Sequence, residues 1–394
     1  MFREIKKFGS AAHSFLLATF LMGLSNGMFD AVYNFYLEAR GVDKTATGHI
    51  YAVAMTMMAA AVIPLIFASK RMSQKKLLLI FAFIYALPFI LLPVLTTVWG
   101  SAVTLGLILS GMIAQLSLGN SLMGSNIDSR SRTTLFSCFF VSYLGAAMAG
   151  SIAVSVFTHF SHAVPLRNYQ AILVASFVSA LLMIYFRVKS IRGVTEPGSD
   201  DRRLSGAKDM EWGNFIILFI AASLLGASIT LIFRFINIVF NLAYTMNVSE
   251  ISLIMGGDKV VSIVGALFAP LLVKRFSLKP TVIIAGILTA ACLFFQSLHI
   301  PAAIFIALYF IRLLLNYCLM PLLDTLAITG FSKERTLLST SIRQLSFYLG
   351  SALSAVIYGD LLDGGHWENT LIISAGLALA GAVFMSFIRV KNEH

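Results

Sequence analysis

Twelve times along this chain a stretch of about 20 mostly apolar residues recurs, and short polar turns separate most of the stretches. They run near 13–37, 47–69, 77–97, 101–124, 133–157, 169–187, 213–242, 250–273, 280–298, 301–324, 338–361 and 369–388. About 20 apolar residues are what a helix needs to cross the hydrocarbon of a bilayer. Composition agrees: 58% of the 394 residues are hydrophobic and 12% are charged, against about 25% charged in a soluble domain. A water-soluble fold could not hide so much apolar surface. The expected fold is therefore an all-α membrane protein with twelve transmembrane helices. Cys138, Cys292 and Cys318 all fall inside apolar runs. They have neither metal spacing nor a pairing pattern, and they read as packing residues.

The polar segments give an organisation and an orientation. The longest, residues 188–212, holds Gly, Pro, Ser and many charges, as a linker does. It divides the chain into residues 1–187 and 213–394, each with six spans. Of the 29 Lys and Arg residues, 22 lie at the termini, in this linker and in alternate loops, Arg187 among them. Three (Arg40, Lys44, Arg167) lie on the other side, and Arg234, Lys259, Arg312 and Arg343 lie within spans. Basic residues mark cytoplasmic loops, so both termini and the linker are expected in the cytoplasm of a cell-membrane protein. The net charge of +11 is thus a matter of membrane orientation rather than of nucleic-acid binding. The first apolar run keeps a polar face and leads into further spans, unlike a cleavable signal.

The halves resemble each other. "SKRMSQKK" at 69–76 and "VKRFSLKP" at 273–280 align with a shift of 204, and "YLGAAMAG" at 143–150 and "YLGSALSA" at 348–355 with a shift of 205. Two pseudo-symmetric six-helix bundles are expected, a known plan for secondary transporters with the solute site at the midplane. Twelve spans, this six-plus-six symmetry, a charged central loop and a basic turn after the second and eighth spans resemble the major facilitator superfamily. The resemblance makes Lys70, Arg71, Lys274 and Arg275 candidates for gating loops. Arg71, Lys75 and Lys76 match the family's loop motif, whereas Ile66, Lys70 and Ser73 stand where it has Gly, Asp and Gly. The fourth span lacks the Arg of the family's drug antiporters.

Ionisable residues inside spans are costly and mark function. Asn26, Asp30 and Asn34, spaced by four, share one face of the first helix. Arg234 has Asn237 beside it, and Arg312 has Asn316. Asp258 and Lys259 are adjacent, and Asp258 is also a candidate partner for Arg234. These nine residues are the candidate cavity and proton-coupling set. Gly145, Gly226 and Gly350 read as close helix contacts. Without a nucleotide loop, metal spacing or catalytic triad, an enzyme is not expected, nor a metal or other cofactor. The first functional reading is a proton-coupled secondary transporter exporting amphipathic compounds. Import of an organic anion or sugar is the alternative, as is a lipid flippase or a non-transporting sensor. The partners are a small-molecule solute, protons and the lipid bilayer around a monomer.

Overall fold

The computed structural model of the chain describes residues 9–125, 129–161, 164–192, 194, 212–276, 278–329 and 336–388. Its regular structure there is helical throughout. The first half carries α1 Ser10–Ala39, α2 Lys44–Arg71, α3 Gln74–Leu91, α4 Val98–Ser125, α5 Ser129–Phe160 and α6 Pro165–Ser190. The second carries α7 Trp212–Tyr244, α8 Val248–Phe276, α9 Leu278–Gln296, α10 Ala302–Thr329, α11 Thr336–Asp363 and α12 Trp367–Ser386. Among the described residues, ten stretches are long and apolar enough to cross a membrane, one in each helix other than α2 and α8. The expected runs coincide with the helices to within several residues. The largest difference is at α3, expected to reach 97 but ending at Leu91. There Pro88 opens the last turn, and Pro93 lacks the N–H needed to carry a helix further.

Local chemistry fixes the helix ends. The Asp43 carboxylate accepts from Ala46 N at 2.6 Å to start α2. Asn247 and Glu250 exchange side-chain to backbone bonds of 3.0 and 2.9 Å to start α8, a reciprocal capping box. At the end of α1, Gly41 has φ +79°, and Val42 N donates to Leu37 O at 3.0 Å. That left-handed turn is open to glycine at no steric cost.

By contacts the chain forms two compact units. The first holds residues 1–42, 60–200 and 246–260; the second holds 43–59, 201–245 and 261–394. In the first unit α1 lies against α5 and α6. A methyl group added at Gly23 or Gly27 would run into the carbonyl oxygen of Tyr143 or Ala147. Small residues thus let α1 and α5 touch backbone to backbone, as membrane helices do when lipid offers no hydrophobic drive. Serines tie the seam: Ser25 and Ser179 Oγ link α1 and α6 at 2.9 Å, through Ser176 O and Leu21 O. The N-terminal part of α8 joins this unit through Ser155 and Ser249, whose hydroxyls donate to each other's carbonyls at 2.8 and 3.0 Å.

The second unit repeats the construction. Here α7 lies against α11 and α12. Gly226 abuts the Phe347 carbonyl, 203 and 204 residues beyond Gly23 and Tyr143. Ser228 and Ser374 donate to each other's carbonyls at 2.8 Å, the counterpart of the Ser25 bond. Gly226 and Gly350 are close contacts as expected. Gly145 is not: nothing lies within 4 Å of the place its Cβ would take, because the α1 seam runs along the Tyr143 and Ala147 carbonyls instead. Large apolar residues such as Trp99, Val156, Phe160, Phe294 and Leu353 are exposed on the helices, as lipid contact requires.

Candidate functional site

In the first unit the Asn26 and Asp30 side chains meet on α1. The Asn26 amide donates to the Asp30 carboxylate at 2.8 Å. Asn26 and Asn34 are buried and Asp30 is half-buried. A carboxylate that shares its helix face with amides has polar contacts in either protonation state, since an amide both donates and accepts. Asp258 and Lys259, also in this unit, form an ion pair of 2.9 Å with each other.

In the second unit Arg234 sits in a π-helical turn, Leu231–Phe235, in the middle of α7. Such single wide turns recur at functional sites because they re-aim side chains. Its guanidinium stands over the Tyr51 ring, 5.8 Å from the centroid. Tyr51 and Tyr358 both meet the Phe235 ring edge-on, at 5.2 and 6.2 Å. Asn237, read from the sequence as company for Arg234, accepts from the Ile238 backbone N–H at 2.9 Å just past the wide turn.

Arg312 is 1% exposed and Asn316, one turn further along α10, is 3% exposed. Nε and Nη2 of Arg312 and Oδ1 of Asn316 have no hydrogen-bond partner. Arg312 lies near the Tyr309 ring, 6.0 Å from the centroid, and close to Cys292 and Tyr358. The Tyr358 hydroxyl is committed to Ala227 O at 3.0 Å. Of the gating-loop candidates, Arg71 and Arg275 are exposed, while the side chains of Lys70 and Lys274 lie outside the described residues.

Two features escaped the sequence reading. Arg187, expected in a cytoplasmic loop, is 1% exposed, because α6 continues to Ser190. Its guanidinium stacks 3.9 Å above the Phe15 ring and approaches Thr19 Oγ at 3.4 Å. The sequence signal was its place at the end of an apolar run, directly after Phe186. Tyr51, stacked by Arg234, had none, because the two are far apart in sequence.

Apolar helices long enough to cross a bilayer, with arginines, asparagines and a carboxylate set within them, are those of a multi-pass membrane protein with a polar interior. Residues 218–394 match the profile of the Major Facilitator Superfamily. No curated protein matches the sequence. Among solved structures, the nucleoside transporter NupG is similar over 96% of this chain and 100% of its own, with 15% identity and a TM-score of 0.77. The xylose transporter XylE from E. coli, in an inward-open conformation, is similar over 98% and 97%, with 13% identity and a TM-score of 0.77. A bacterial homologue of the human lysosomal transporter Spinster is similar over 95% of each chain, with 12% identity and a TM-score of 0.74. The chain shares its fold with these solved transporters, and its second half matches the profile of the Major Facilitator Superfamily.

Proposed function

We propose that the chain is a proton-coupled secondary transporter that moves a small solute by alternating access, with Asp30 as the coupling carboxylate. The observation that carries the reading is the half-buried Asp30, held by Asn26 at 2.8 Å within a long apolar helix. A carboxylate in such a place can alternate between charged and neutral forms as its surroundings alternate between wet and dry. Twelve spans are proposed, since α2 and α8, with 28 and 29 residues, also exceed the length a bilayer demands. Both termini and residues 188–212 are placed in the cytoplasm of a cell-membrane monomer, on the strength of the lysine and arginine distribution. Export of amphipathic compounds stood first in the sequence reading. The buried guanidinium of Arg312 favours the other branch, an organic anion, over a cationic amphiphile.

Proteoliposomes loaded with a pH-sensitive dye test the reading. Small organic acids, sugars, nucleosides and lipophilic cations are added in turn. At least one class should drive proton movement with the wild-type chain and none with Asp30→Asn. Proton movement that is the same in both, or absent with every class, would remove the coupling role.

A further inference from the structure

We propose that Arg312 and Asn316 bind the carboxylate end of an organic acid, so that the transported solute is an organic anion. This deepens the transporter reading above and rests on it. The argument begins with the edge of the guanidinium. Nε and Nη2 point the same way and form the side-on fork that takes the two oxygens of a carboxylate at once. These are the two nitrogens of Arg312 left without a partner. One helical turn on, the unpartnered Oδ1 of Asn316 is an acceptor on the same face. It suits a hydroxyl or ammonium on the same solute. Both side chains are more than nine-tenths buried. Among the described residues, the groups that interact electrostatically with Arg312 are Tyr309, Cys292 and Tyr358, and none is a carboxylate.

The other arginines show what a structural role looks like in this chain. Arg40 places its guanidinium on the Tyr36 hydroxyl, Ser101 Oγ and the Thr96 carbonyl, and so ties α1 to the start of α4. Arg187 stacks on Phe15 at 3.9 Å and reaches Thr19 with Nη2, so that although its Nε and Nη1 have no hydrogen-bond partner its charge rests on a ring and its side-on fork is half taken. Arg312 does neither, although a buried cation without a partner is among the most costly groups a fold can carry. A group this costly is accounted for if an anion completes it. The fork selects a planar carboxylate over a point charge, and the tyrosine rings flanking it suit an acid with an apolar or aromatic body.

The test uses the full-length chain in lipid nanodiscs, with thermal unfolding as the readout. Without ligand, Arg312→Met should unfold at the wild-type temperature or above it, because an unpartnered cation has been removed. A midpoint several degrees lower means that the cation holds the fold, and overturns the proposal. Benzoate, lactate and glutarate are then compared at millimolar concentration with the amides of the same acids. At least one acid should raise the wild-type midpoint by a few degrees and its amide should not, since ligands that bind the folded state alone stabilise it. Arg312→Lys should keep a smaller rise and Arg312→Met none. Equal shifts by acid and amide, a rise that persists in Arg312→Met, or no shift by any acid overturns the proposal. Asp30→Asn separates the two readings. If it still binds the acid and still couples its movement to protons, the anion site stands and the Asp30 reading falls. If it loses coupling while no acid binds even the wild type, the reverse holds.

Discussion

Asp30 and Arg312 differ in how they are satisfied, and the difference makes separate predictions. Asp30 has the Asn26 amide at 2.8 Å, and an amide in place of the carboxylate could accept the same bond. Asp30→Asn should therefore leave thermal stability within about 0.5 kcal/mol of wild type, the range of a well-tolerated substitution. Solute exchange without a gradient should persist, and uphill accumulation driven by a pH gradient should fall to background. Counterflow and accumulation assays on one proteoliposome preparation give both numbers. A second residue-scale expectation concerns Phe15, beneath the buried Arg187 at 3.9 Å. A desolvated cation over a ring is worth about 2 kcal/mol, so Phe15→Leu should lower stability by roughly that much. A chemical-denaturation midpoint checks it. At this scale the sequence showed which residue types were out of place in lipid. It could not show that Asn237 accepts from the Ile238 backbone N–H of its own helix, or that Arg187 is inside the fold.

Among the elements, the seams between helices depend on residues that look alike in sequence. Gly27 and Gly145 both lie in apolar runs. A methyl at Gly27 would overlap the Ala147 carbonyl, whereas Gly145 faces open space. Gly27→Ala should destabilise by about 1–3 kcal/mol through overpacking. Gly145→Ala should be neutral or stabilise by up to about 1 kcal/mol, because alanine is the better helix former. Unfolding midpoints of the two variants in detergent separate them. Pro64 lies inside α2, where its ring displaces the carbonyl of residue 60. The boundary between the two contact units falls at Ala59 and Ala60. Pro64→Ala should stiffen α2 at this point, raising the unfolding temperature and slowing transport several-fold. Transport rate and thermal midpoint measured together show whether the two move in opposite directions.

For the whole molecule, the prediction is topological. A cysteine at Ser199, in a chain whose own three cysteines are changed to serine, should react with an impermeant thiol reagent only after the membrane is opened. A cysteine at Ser161 should react in intact cells. The reverse pattern would invert the orientation drawn from the 22-to-3 split of basic residues. The contact units also carry information that no loop pattern holds. Residues 43–59 of α2 group with the second unit and residues 246–260 of α8 with the first, although the chain runs unbroken through both helices.

The sequence by itself determined the solvent, the number and approximate limits of the helices, and the offset near 204 that relates the halves. These depend on hydropathy and charge, which are summed locally along the chain, and on turn residues such as Asp43 and Asn247 that act on their own helix starts. Tertiary structure decided which charges are satisfied. Whether a guanidinium rests on Phe15, stands over Tyr51 or keeps its fork unpartnered depends on which side chains other helices bring to it. That is fixed by glycine seams and serine clasps between segments more than a hundred residues apart, such as Gly23 with Tyr143 and Ser228 with Ser374. Close packing discriminates by a single methyl group, and no pattern along one strand of sequence records where that methyl would have gone.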